Sequence, residues 1–249
     1  METVNSPGPA VPYAVPFAGP VRTARFLGRR ARFLMDLEDA SGRFTAHTNN
    51  TGTMLGLLRP GCEVLVSVSA APGRKYPCTV EALRHDGFWV GVNTAAPTRV
   101  LRAAWERGLL PGGEGYDRMR TEPAFEGGRL DALFTGPAGE LYVETKNVTL
   151  VEEDTAQFPD APTERGRKHL GELARLARMG GGVRAALFLA VQRPDGACFG
   201  PAWAVDPQYG EDLLAAMEAG VEVWPLVVDV SPDGLRLGRM LPLAACLGK

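Results

Sequence analysis

Residues 128–150 read GRLDALFTGPAGELYVETKNVTL. Two apolar-rich runs, 128–136 and 140–150, flank the short Gly136-Pro137-Ala138-Gly139 turn, and the stretch therefore predicts a β-hairpin. Side chains at i and i+2 of a strand share a face, which puts Glu144 and Lys146 together. Pairing across the turn brings Asp131, inside the other arm, beside them. The residues around this pair, Leu141-Tyr142-Val143 and Val148-Thr149-Leu150, are largely apolar, so the strand is expected to be central. Charges on a central strand are costly unless they are paired or bound to a cation.

Two carboxylates, the backbone carbonyl of Thr145 and several waters satisfy a hard divalent ion such as Mg²⁺ or Mn²⁺. The chemistry this permits is phosphodiester hydrolysis. The ion polarises a phosphoryl oxygen and acidifies its water, while Lys146 orients that water or stabilises developing negative charge. Asp131, Glu144 and Lys146 are the candidate catalytic residues, with Asp131, Glu144 and Thr145 as candidate metal ligands. Glu122, near the end of the preceding run YDRMRTEPAF, either adds a carboxylate or is an edge-strand surface acid. Glu-x-Lys by itself is a weak signal that solvated strands also carry.

Downstream of the hairpin a long polar loop leads to a helix over 163–179. Leu170, Leu173, Ala174 and Ala177 form one stripe of it, and Arg165, Lys168, His169 and Glu172 another. Asp160 or Thr163 is placed to cap it, and Arg165, Lys168 and His169 lie within one turn, where they can bind a single phosphate. Gly180–Gly182 end the helix. VRAALFLAVQ (183–192) and VEVWPLVVDV (221–230) read as buried strands, with a helix over 209–219 between them and a last strand after Asp233-Gly234. Upstream, PTRVLRAAWERG (97–108) reads as a helix. Residues 95–249 therefore form a mixed α/β sandwich with a central mixed sheet, a nuclease-like architecture.

Residues 21–94 have a different character. A basic first strand and the runs ARFLMDL, EVLVSVS, PCTVEAL and FWVGV, separated by turn signals, give about five strands and a small barrel resembling the oligonucleotide-binding fold. Its candidate nucleic-acid contacts are Arg30, Arg32, His47 and Asn50, together with Arg74, Lys75 and Tyr76, which combine two cations with a ring that can stack on a base. The whole is an α+β or mixed chain of two modules. Residues 1–20, with five prolines, read as an extended tail or a strap over the first module.

The net charge of −2 hides an asymmetry. Residues 1–110 hold 13 Lys and Arg against 8 Asp and Glu (net +5), and residues 111–249 hold 14 against 21 (net −7). A basic half suits phosphates and an acidic half suits a cation. Apolar content of 45 % with 22 % charged residues excludes a disordered or fibrous chain. No window approaches 18 uninterrupted apolar residues, and the first twenty residues lack a basic segment ahead of an apolar one, so a cytoplasmic protein is expected. Cys62, Cys78, Cys198 and Cys246 are scattered and read as reduced and structural.

With these motifs in view, the chain resembles the sugar fermentation stimulation protein family over roughly residues 20–230. The segments that carry the resemblance are RARFL, HTNNTGTMLGLL, RKYP, GVNT, GRLDALF, YVETKNVTL and above all FPDAPTERGRKHL. It implies an oligonucleotide-binding-like barrel followed by a restriction-endonuclease-like domain of the PD-(D/E)XK type. It also implies DNA binding, with RNA as an alternative, and suggests nuclease activity centred on Asp131, Glu144 and Lys146. Members of the family often carry Cys-Pro where this chain has Thr48-Asn49, and Ser where it has Gly128. Such folds are often dimeric, so a homodimer stays open. The alternative function is a non-catalytic DNA-binding regulator of sugar-metabolism genes that keeps the nuclease fold.

Overall fold

The computed structural model describes residues 15–125, 128–245 and 247; residues 1–14 of the expected tail and Cys246 lie outside them. Six strands come first: β1 (Val21–Arg30), β2 (Leu34–Asp39), β3 (Gly42–His47), β4 (Glu63–Val68), β5 (Cys78–His85) and β6 (Phe88–Gly91). Their order is β3-β2-β1-β4-β5-β6, and a parallel contact of β3 with β5 at His47 and Thr79 closes the barrel. Met35, Leu37, Val64, Val66, Val80 and Leu83 fill it. The ARFLMDL run divides: Ala31 and Arg32 take positive φ and form a turn, and β2 starts only at Leu34. β3 was absent from the expected runs because it buries a single residue, Ala46, and so has no apolar pattern to read.

The second module begins with α1 (Ala96–Glu106). Then follow β7 (Arg118–Thr121), the short pair β8 (Ala124–Phe125) and β9 (Gly128–Arg129), and the hairpin β10 (Ala132–Gly136) and β11 (Gly139–Val148). Gly139, at φ 104°, lets the hairpin tip pack on Gly182, whose carbonyl an added Cβ would meet at 2.2 Å. The expected long polar loop is instead a hairpin, β12 (Leu150–Glu152) and β13 (Thr155–Phe158), turned by Glu153 and Asp154 at positive φ. The remaining elements are α2 (Glu164–Ala177), β14 (Val183–Val191), β15 (Cys198–Pro201), α3 (Pro207–Glu218), β16 (Glu222–Ser231) and β17 (Gly234–Met240).

The two modules share one sheet, whose order continues β6-β16-β14-β11-β10-β7, with Trp89 of β6 partnering Val230 of β16. β11, β14 and β16 are parallel neighbours, and both faces of β14 are covered, as its unbroken apolar run demands. Period two sorts the faces. Ala186, Phe188 and Ala190 pack with Val100, Leu101 and Ala104 of α1, while Leu187, Leu189 and Val191 pack with Leu170, Leu173 of α2 and Leu213 of α3. On β11, Leu141 and Val143 face α1, whereas Tyr142 and Val148 face α2. Glu144 and Lys146 therefore point toward α2. The described end of the Pro-rich segment touches both modules: Val15 pairs with Leu235 of β17 through bonds of 3.2 and 3.0 Å, and the Pro20 carbonyl accepts from Val68 N of β4 at 2.8 Å.

Candidate metal and nucleic-acid site

Glu144 lies at the carboxyl-end half of β11, its side chain 3 % exposed. One carboxylate oxygen, Oε1, accepts from both Lys146 Nζ and His169 Nδ1. An ionised carboxylate can only accept, so Nδ1 of His169 carries the proton. Burial alone would raise the Glu144 carboxyl, but the Lys146 ammonium and the His169 hydrogen bond outweigh it and hold it below the usual range. The second oxygen, Oε2, is buried without a hydrogen-bond partner. Leaving a buried charged acceptor unsatisfied costs about 1–3 kcal/mol or more.

Asp131 stands one residue ahead of β10, not inside it, and is fixed by its neighbour strand. The Thr145 amide (2.8 Å) and hydroxyl (2.7 Å) both donate to Asp131 Oδ2. Because Ala132 partners Val143, Asp131 falls opposite Glu144. Burial, and next the charge of Glu144, push the Asp131 carboxyl above its usual range. The Thr145 side chain faces α1, with its hydroxyl 3.4 Å from that of Thr98. Its carbonyl leaves the strand on the same edge as its amide, toward Asp131. Among the described residues no set of three His, Cys, Asp or Glu side chains converges as a metal cage.

Two cavities meet at these groups. An inner one of about 420 Å³ has Asp131, Glu144 and Lys146 on one side and the barrel segment Asn49–Gly52 on the other; an outer one of about 630 Å³ is lined by Glu122, Arg129, Lys168 and His169. Asp131 and Arg165 line both. The barrel wall is tied down by Asp160, which accepts from the Met54 amide at 2.8 Å and from the Thr53 hydroxyl. Asp160 thus bridges the modules, and Thr163 caps α2, its hydroxyl accepting from Gly166 N at 3.0 Å. Asp206 joins the two helix starts: it caps α3 at Tyr209 N (3.0 Å), accepts from Thr163 N (2.9 Å) and pairs with Arg167 (3.1 Å).

The structure moves several expected residues. His169 is buried at the wall of the outer cavity, off the exposed face that carries Arg165 and Lys168; it packs edge-on against Phe125 and holds Glu144. The spacing Gly166, His169, Leu170, Leu173 placed it on the apolar stripe all along, and that was the available signal. Arg165 and Lys168 do face the outer cavity. Glu122 sits just beyond β7 with φ 52°, its exposed carboxylate paired with Arg129 at 3.2 Å, so its side chain is engaged away from Glu144. Asn50 lines the inner cavity but is only 7 % exposed; its Oδ1 accepts from Gly52 N (2.9 Å) and its carbonyl from Arg29 (2.8 Å).

On the barrel face, Arg30 pairs with Asp36 at 2.8 Å and bonds Thr45 at 3.0 Å, while Arg32 is exposed. Arg74 donates to Thr79 (2.9 Å), the cross-strand partner of His47, and the Lys75 ammonium lies 5.5 Å from the Tyr76 ring centre. Sequence reasoning did not single out Asn49 and Asn93. They form a chain, half-buried at Asn49 and buried at Asn93 and Glu81, from Asn49 Nδ2 to Asn93 Oδ1 (2.7 Å) and from Asn93 Nδ2 to Glu81 (2.7 Å), which fixes the barrel wall against α1.

Fold and site together define a two-module class, an oligonucleotide-binding-like barrel followed by an α/β restriction-endonuclease-like domain. Residues 27–92 match the N-terminal OB domain of the family, and residues 95–234 match the sugar fermentation stimulation protein RE domain. The chain belongs to the sugar fermentation stimulation protein family. It is 52 % identical to a sugar fermentation stimulation protein homolog of Syntrophobacter fumaroxidans, with 94 % of this chain and 88 % of that one covered. A homolog from Maridesulfovibrio salexigens is 49 % identical, covering 90 % and 94 %. Among solved structures, the Pyrococcus furiosus protein in complex with Ca²⁺ superposes with a TM-score of 0.86 at 28 % identity, covering 94 % of this chain and 100 % of that one. Among the described residues no helix is long and apolar enough to cross a membrane.

Proposed function

We propose that this protein binds nucleic acid and hydrolyses its phosphodiester bonds with the help of a divalent cation. The observation that carries the reading is the unpartnered, buried Oε2 of Glu144 beside Asp131. Two close carboxylates, one with an orphaned oxygen, suit a hard cation. Mg²⁺ or Mn²⁺ needs only one or two protein carboxylates and keeps waters or substrate oxygens in its other positions, so the shortage of a third acid is no obstacle. Asp131, Glu144 and the Thr145 carbonyl would hold the ion. The Ca²⁺ complex of the Pyrococcus furiosus relative supports a hard divalent cation in this family.

When bound, the cation supplies Lewis-acid stabilisation of charge on a phosphoryl oxygen. The chain's own groups do the rest. Lys146, 14 % exposed, turns its ammonium into the inner cavity, where it can donate to an attacking water or to the developing oxyanion. His169 holds Glu144 Oε1, leaving Oε2 for the ion. Arg165 and Lys168, at the start of α2, suit an adjacent phosphate.

The test is cleavage of labelled single- and double-stranded DNA and RNA in Mg²⁺, Mn²⁺ or EDTA by the wild type, Lys146→Ala and Asp131→Ala. Metal-dependent cutting lost in both variants is expected. Binding without cutting in any metal would replace this reading with that of a non-catalytic DNA-binding regulator.

A further inference from the structure

Phe33 is 45 % exposed at the tip of the turn joining β1 to β2. A ring displayed this way adds nothing to the barrel core. The turn that displays it is also a strained one, since Ala31 (φ 50°) and Arg32 (φ 61°) occupy positions where Asn-Gly would sit with less strain. The Phe33 ring lies 6.4 Å from that of His47, tilted by 44°. Cations flank the two rings: Arg32 is exposed beside Phe33, and Arg74 reaches Thr79, the cross-strand partner of His47.

This face is joined to the cleft by hydrogen bonds. The Phe33 carbonyl accepts from Thr48 N at 2.9 Å, and Thr48 opens the segment that becomes the Asn49–Gly52 wall. The Arg29 guanidinium then clamps turn and wall together, donating to the carbonyls of Arg32 (2.7 Å), Asn50 (2.8 Å) and Gly52 (2.8 Å).

We propose that Phe33, with His47 beside it, is a stacking platform for bases of a single-stranded nucleic acid, whose backbone continues along Asn50–Gly52 to the cleft over Asp131. The inference rests on the nucleic-acid reading above and adds the substrate class. Unpaired bases present π-faces that any aromatic ring accepts, whereas a duplex keeps its bases stacked on one another. The neighbouring cations suit the phosphates between those bases. The wall then delivers the strand to the carboxylates in one direction from the platform.

Fluorescence anisotropy in EDTA, with a labelled oligothymidine and a labelled duplex, tests this on the full chain. Phe33→Ala is expected to weaken single-strand binding roughly 5- to 150-fold, the range for loss of one stacked base, and to leave duplex binding unchanged. Phe33→Trp is expected to restore single-strand binding, with quenching of the new indole. An unchanged melting temperature for Phe33→Ala, whose ring is exposed, confirms that the fold is intact. Equal losses on both oligonucleotides, or no loss on either, would overturn the platform. Wild-type binding to duplex alone would overturn it too while leaving the nuclease reading in place; wild-type binding to neither would overturn the nucleic-acid reading itself.

Discussion

Replacing Asp131 with asparagine is expected to stabilise the metal-free protein and to abolish its stabilisation by metal. Asparagine Oδ1 can keep both hydrogen bonds that Asp131 Oδ2 accepts from Thr145, at 2.8 and 2.7 Å, so no buried donor is orphaned. What disappears is a buried negative charge next to Glu144, the arrangement that pushes the Asp131 carboxyl above its usual range. Relief of such functional strain is worth about 1 kcal/mol, or roughly 2–4 °C of melting temperature for a chain of this size. A cation at a hundred times its Kd adds about 2.7 kcal/mol to a protein that binds it, or roughly 5–10 °C. The two melting curves should therefore cross: Asp131→Asn melts higher than wild type in EDTA and lower in excess Mn²⁺. Thermal unfolding followed by tryptophan fluorescence in both buffers measures this. A variant less stable than wild type in EDTA would refute the repulsion argument, and a variant stabilised by Mn²⁺ as much as wild type would remove Asp131 from the metal site.

His169→Leu is expected to weaken Mn²⁺ binding roughly 10- to 100-fold, as loss of a ligand-orienting partner does, while His169→Asn, which can keep a donor near the Nδ1 position, retains most of it; isothermal titration calorimetry separates the two. Asp206→Ala removes a helix cap, a bond to Thr163 N and a buried partner of Arg167, and should cost about 3 kcal/mol in urea unfolding. Burial opposes the charge of Asp206, but the Thr163 and Tyr209 amides and then Arg167 prevail and hold its carboxyl below the usual range. Its contribution is therefore complete above the ordinary aspartate pKa of about 3.9 and fades as pH falls through the lower folded value, so Asp206→Asn should flatten stability against pH on the acid side. In Gly52→Ala the new methyl would meet the Asp160 carboxylate oxygens at 2.9 and 3.0 Å. The barrel wall should then swing off Asp160, and oligonucleotide affinity should fall in anisotropy while Mn²⁺ affinity holds; equal losses of both would contradict a role confined to the wall.

Alternation made much of the second module legible. The 128–150 hairpin, the doubly covered β14 and the shared face of Glu144 and Lys146 all follow from period two and apolar content. Where the pattern was weak, reading failed for identifiable reasons. β3 buries one residue and offers no stripe, and the 150–158 hairpin turns on Glu153 and Asp154 at positive φ without the glycine that usually marks such a tight turn. Its chemistry places His169 with Arg165 and Lys168, whereas its angular position on the helix places it with Leu170 and Leu173. Contacts such as Asp160 with Met54, or Trp89 with Val230, join residues more than a hundred positions apart and leave no local trace.

β6 meets the ladder of β16 through Trp89 and Val230, and Arg29 and Asp160 brace the wall from either side, so the barrel and the α/β domain are joined by strand pairing as well as by side chains. Under the proposed function, the interval between a base seated on the barrel and a phosphate over Asp131 would be set by the fold, and cut ends are expected at one fixed offset whatever the sequence.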